Sequence, residues 1–108
     1  MPPKVDPRAV FCARLKQARE AAGLSQKELG ILAGLDRFVA STRINRYEKG
    51  IHKADVQTAE RLARVLTVPL AYLYSGDERL ARAIIAFSRL SREKQDALLR
   101  EMEEMLRS

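Results

Sequence analysis

The chain has one cysteine, one histidine and no tryptophan. A lone Cys12 cannot close an internal disulfide or seed a metal cluster. At helical spacing it reads as a small buried hydrophobe and not as a reactive thiol. His52 has no cysteine or carboxylate cluster at ligand spacing, and no catalytic triad can be assembled around it. It is expected to lie exposed in a loop. The five glycines stand singly, so there is no glycine-rich loop to cradle a phosphate. The carboxylates of EMEEM, residues 101–105, read as a solvated helix face. No enzyme, cofactor or metal is expected. No apolar run approaches the ~20 residues that a membrane-spanning helix needs. The first ten residues, MPPKVDPRAV, lack the apolar core of a signal peptide. A cytosolic protein without membrane association is therefore expected.

What is present is charge, placed unevenly. The net charge is +6 over 108 residues. Through Tyr74 there are thirteen Lys and Arg against seven Asp and Glu; beyond it there are seven of each. A basic surface confined to one part of the chain draws that part to a polyanion, with salt-dependent affinity. The length suits one compact domain, or one domain with an appendage.

The segment Ser25–Gly50, SQKELGILAGLDRFVASTRINRYEKG, reads as a short helix, a glycine turn and a second helix rich in cations. Ser25 and Glu28 have the spacing of a capping box. Gly34 ends the first helix in the left-handed conformation. At about 100° per residue, with Ile44 pointing inward, Ala40 and Tyr47 fall near it and Thr42, Arg46 and Lys49 fall opposite. Arg43 and Asn45 lie on the two flanks. Hydroxyls, amides and guanidinium groups on one face suit base edges and phosphates.

These residues resemble the lambda-repressor-like, Cro/CI-type (XRE) helix-turn-helix domains. The resemblance covers residues 11–74 through FCARLKQAREAAGLSQKEL, RINRYEKG and ADVQTAERLARVLTVPLAYLY. It implies an all-α fold: a five-helix DNA-binding domain over residues 9–74, preceded by a flexible arm over 1–8 and followed by a two-helix extension over 77–107. It implies a sequence-specific regulator of a bacterial or phage type, a repressor with an activator as the alternative, that places helix 3 in the major groove of double-stranded DNA. Gln26 matches the glutamine that touches phosphate, and Gly30 the small residue four positions later. Arg19 and Glu48 match a structural pair between the first and third helices. Counting back from Ile44 places base readout on Ser41, Thr42 and Arg46. Arg43 and Asn45 are candidates for base or phosphate, and Lys49 and Lys53 for phosphate. In the proline-rich arm, Lys4 and Arg8 have the charge to reach a groove or a phosphate, but an arm without function is the favoured reading there.

The chain departs from the family by four extra residues near Arg37–Ala40. Either the turn is longer or the recognition helix starts a turn early. Phe38 is expected to pack inside and hold the enlarged turn. Ser41 is an alternative candidate for capping an early turn.

Elsewhere, periodicity predicts helix 1 over residues 8–22 with Phe11, Leu15 and Ala18 inward. In helix 2, Leu29, Leu32 and Ala33 are expected inward. Helix 4 is expected over 56–66, capped by Asp55, with Val56, Ala59, Ala63 and Leu66 buried. Thr67 replaces the glycine usual after that helix, which predicts a different exit. Pro69 suits the first turn of helix 5. Beyond Ser75 two further helices are expected. Leu80, Ile84 and Phe87 line the first. Leu98, Met102 and Met105, with Leu99 and Leu106 alongside, line the second, which Ser91 caps. Two apolar stripes of zero net charge suit a second copy of the chain, giving a homodimer. The rival reading is an antitoxin-like or adaptor module binding a heterologous protein through residues 77–106. A third is simple packing onto the core.

Overall fold

The computed structural model describes residues 6–108. Seven helices follow one another, and there is no strand among the described residues: α1 Pro7–Ala21, α2 Gln26–Leu32, α3 Ala40–Glu48, α4 Val56–Leu66, α5 Leu70–Leu73, α6 Glu78–Ser88 and α7 Arg92–Arg107. The all-α expectation and the five-plus-two helix order agree with this.

Met1–Val5, including Lys4, lie outside the described residues. Pro7 and Arg8, expected in the arm, belong instead to α1, which starts at Pro7. The Asp6 carboxylate accepts from the Arg8 N–H at 3.0 Å, and proline is pre-organised for a first helical turn.

One large side chain from each of α1 to α5 is fully buried: Leu15, Leu29, Ile44, Leu62 and Leu73. They meet in one core with Phe11, Ala18, Ala33, Tyr47, Ala59, Ala63, Leu66 and Tyr72. Burying each such aliphatic side chain stabilises the fold by roughly 1.5–3 kcal/mol. In α2 and α4 two residues expected inside are not. Leu32 is 61% exposed; α2 turns Leu29, Gly30 and Ala33 inward, and Leu32 falls about 100° from the middle of that row. Val56 is exposed in the first turn of α4, on the flank of a stripe made by Thr58, Ala59, Leu62, Ala63 and Leu66.

The ends of α4 are set locally. The Asp55 carboxylate accepts from Thr58 N–H at 2.7 Å, as expected of a cap. Hydrogen bonds from the hydroxyl and backbone of Thr58 hold the Asp55 carboxyl below its ordinary range. At the other end Thr67 takes φ 57, ψ 44. The exit expected to differ is therefore the left-handed one that glycine normally supplies. A β-branched residue there stores on the order of 1–2 kcal/mol of strain.

Arg14 is buried on the inward side of α1, which sequence periodicity did not single out. Its Nε donates to the Ser75 carbonyl at 2.9 Å, and its Nη1 donates to Gln17 at 3.1 Å and to Glu78 at 2.9 Å. Its guanidinium lies 5.4 Å from the Tyr72 ring centre. One side chain thus ties α1 to α5 and to the start of α6. The packed side of α6 is Ala81, Ile84 and Ile85, while Leu80, expected in its stripe, is exposed. Helix α7 buries no residue.

Candidate nucleic-acid interface

Helices α2 and α3 are pressed together at one point. A Cβ on Gly30 would sit 2.7 Å from the Ala40 Cβ, closer than two carbon atoms can come. Only glycine at position 30 lets the helices meet there. The capping box is formed, with Glu28 N–H donating to Ser25 Oγ at 3.0 Å and Ser25 N–H donating to Glu28 Oε1 at 3.0 Å. The backbone bond from Ser25 holds the Glu28 carboxyl below its ordinary range.

After α2 the chain turns at Gly34, φ +91, and Leu35 N–H donates back to the Gly30 carbonyl at 2.9 Å. Asp36 then organises a second, outer turn. Its carboxylate accepts from Phe38 N–H at 2.8 Å, and its carbonyl accepts from Val39 N–H at 3.1 Å. The helix begins only at Ala40, so the extra residues lengthen the turn. Val39 precedes it with no side-chain cap bond, and Ser41 does not serve as a cap. Phe38 does not pack inside. It is 88% exposed, because both hydrogen bonds of the turn run through Asp36 and leave the ring outside. The Arg37 guanidinium lies 5.8 Å from its centre.

Helix α3 is anchored by Ala40, Ile44 and Tyr47, all buried. Ser41, Thr42, Arg43, Arg46 and Lys49 are exposed, and Asn45 is half-buried. The structure therefore brings the expected base-reading and base-or-phosphate residues onto one helix with an uncovered side. Arg43 is partly committed, since its Nη2 donates to the Tyr47 hydroxyl at 2.7 Å while its guanidinium stands 5.8 Å from the ring centre.

The C-terminal end of α3 is held by the expected pair. Arg19 Nε donates to Glu48 Oε2 at 2.6 Å and its Nη2 to Oε1 at 3.1 Å. The Glu48 side chain is only 4% exposed and that of Arg19 14%. Arg19 Nη1 also donates to the Leu24 carbonyl at 3.0 Å. The hydrogen bond to Glu48 raises the Arg19 pKa above its ordinary value. Gln26 joins it, donating from Nε2 to Glu48 Oε1 at 3.2 Å. One amide N–H of this residue is thus committed to orienting the start of α2 against the end of α3.

Past Gly50 the loop folds back: Ile51 and His52 N–H both donate to the Arg46 carbonyl, at 2.9 and 3.3 Å. Lys53 and His52 are exposed on it. Arg8, at the start of α1, donates to the Gly50 carbonyl at 3.3 Å. Cys12 is half-buried and not the fully buried residue expected; burial pushes its thiol pKa up. Among the described residues no cluster of His, Cys, Asp and Glu is arranged to hold a metal, and no helix is long and apolar enough to cross a membrane.

A family profile described as Helix-turn-helix matches residues 15–73. The cryptic phage CTXphi transcriptional repressor RstR of Vibrio cholerae is 30% identical over 104 residues, spanning 90% of this chain and 88% of its own. Among solved structures, the transcriptional regulator BswR aligns with a TM-score of 0.81 at 47% identity, covering 86% of this chain and 92% of its own.

Proposed function

The chain belongs to the helix-turn-helix family of DNA-binding transcription regulators, and on that premise we propose a sequence-specific repressor that acts as a homodimer with α3 in the major groove. One observation carries the reading: α3 is fastened to the core by three buried residues while its opposite side is exposed and made of hydroxyls and cations. Ser41, Thr42 and Arg46 meet base edges. Arginine grips guanine O6 and N7 with two bonds, and hydroxyls adapt to either edge. Arg43 and Asn45 reach base or phosphate from the flanks. Gln26, Lys49 and Lys53 take phosphates, and free N–H groups at the start of α2 add to the attraction. The Arg19–Glu48 pair sets the tilt of α3. Residues 9–74 are the DNA-binding part in this reading, and the protein works in the cytosol, where the DNA is.

The homodimer rests on α7. Leu99, Met102, Met105 and Leu106 are exposed along it. Its charges nearly balance, with four Arg and Lys against five Asp and Glu, so two copies do not repel. Two-fold pairing places two α3 helices about one helical turn, ~34 Å, apart along DNA. Repression is supported by likeness to RstR, a transcriptional repressor; a protein seated across a promoter excludes others from it.

Selection of bound sequences from a random oligonucleotide pool tests this. A two-fold symmetric sequence is the expected product. Enrichment of no sequence at low ionic strength overturns the reading. A monomer that co-purifies with a stable foreign protein through residues 77–106 moves the function to the antitoxin-like or adaptor class.

A further inference from the structure

All four residues of the Asp36–Val39 turn are exposed, and its aromatic residue faces water. We propose that this turn is itself a reading element, in which Phe38 meets thymine methyl groups in the major groove beside the base pairs reached by Ser41 and Thr42. The inference rests on the proposed placement of α3 in that groove.

Three observations carry it. First, Phe38 is the most exposed large hydrophobic residue among the described residues, at 88%, and it is not on a loose segment. Its own N–H is bonded to the Asp36 carboxylate at 2.8 Å and the next N–H to the Asp36 carbonyl at 3.1 Å. A backbone held in place before binding loses little freedom on binding. Second, it stands two residues before Ala40, within ~7 Å of chain from the start of α3. The N-terminal residues of a recognition helix are the ones that contact base edges, and the groove, ~12 Å wide, admits more than the helix alone. Third, the Arg37 guanidinium lies 5.8 Å from the ring centre, so the exposed apolar group carries a cation suited to a polyanion. The C5-methyl of thymine is the apolar feature of the major-groove edge, which names what a phenyl ring there can recognise. The four residues that enlarge the turn then widen the stretch of sequence read by each protomer.

The test uses the full chain and the sequence that it selects. Each thymine is replaced in turn by deoxyuridine, which removes only the methyl group, and dissociation constants are measured for wild type, Phe38→Ala and Phe38→Leu. At least one replacement near the α3 N-terminus is expected to weaken wild type about fourfold per methyl met, to leave Phe38→Ala unchanged and to weaken Phe38→Leu by an intermediate factor. Melting temperatures of the three proteins are expected to coincide, since the ring is outside the core. Equal deoxyuridine penalties in wild type and Phe38→Ala overturn the inference while specific binding stands. So does a Phe38→Ala variant with intact base preference but a smaller assembly, which places the ring between protein copies. Failure of wild type to select any sequence overturns the proposed function as well.

Discussion

Helices α3 and α7 each keep a side free of the molecule's body, yet they do so in opposite ways. α3 is short, nine residues, and held by Ala40, Ile44 and Tyr47, with a buried ion pair at its end. Its free side is polar and cationic. α7 is longer, sixteen residues, and buries nothing; one hydrogen bond, from Gln95 Nε2 to the Phe87 carbonyl at 2.7 Å, reaches back to α6. Its free side is apolar. A polar side needs rigid support from behind to present hydrogen-bonding groups at set angles, whereas an apolar side gains its support from whatever covers it. Exposure alone says little; the chemistry of the exposed side and the strength of its anchorage together separate a surface for DNA from one for protein.

The comparison can be broken by removing one half of it. Loss of residues 92–108 is expected to halve the mass seen by analytical ultracentrifugation and to weaken operator binding by orders of magnitude, because the second half-site is lost. The cut belongs before α7 and not before α6, since Arg14 is bonded to Ser75 and Glu78. A truncated chain that remains a dimer would remove α7 from the interface. On the α3 side, Glu48→Ala leaves Arg19 without its carboxylate and is expected to cost about 3 kcal/mol in urea unfolding. A cost under 1 kcal/mol would mean that α3 needs no such anchor. Gly30→Ala drives a methyl group into Ala40 and is expected to cost about 2 kcal/mol, read as a lower melting temperature together with weaker DNA binding. The finest contrast lies within the interface itself. Arg46→Ala is expected to cost about 1–3 kcal/mol on the selected sequence and to relax one base pair, whereas Lys53→Ala weakens all sequences alike and reduces the salt slope by about one. Equal losses on specific and random DNA from Arg46→Ala would assign that residue to phosphate.

Much of the fold is legible in the sequence because its punctuation is local. Ser25 with Glu28, Asp55 and Ser91 each bond to backbone within three residues, and Gly34 and Gly50 take positive φ at the helix ends where they were expected. Periodicity found Leu15, Ile44 and Tyr47. It failed where a row runs out, at Leu32 and Val56, which stand in the last and first turns of their helices. It failed at Phe38 because a turn has no period, and hydrophobicity alone says only that a ring prefers cover. Arg14 was illegible for another reason. Its partners Ser75 and Glu78 lie more than sixty positions away, and a guanidinium on an inward row looks like an error until the carbonyl that receives it is in place. In the candidate site, the positions of the α3 residues followed from angle, but the tether of Gln26 to Glu48 and the bond from Arg43 to Tyr47 depend on neighbours that no spacing announces.

The Arg14 clamp also constrains geometry at a distance. By joining α1 to α5 and to the start of α6 it removes the slack that the Ser75–Asp77 connection would otherwise leave between the five-helix core and α6. What freedom remains lies beyond α6, where α7 buries nothing and the Gln95–Phe87 bond reaches back, so the joint of this molecule sits between those two helices.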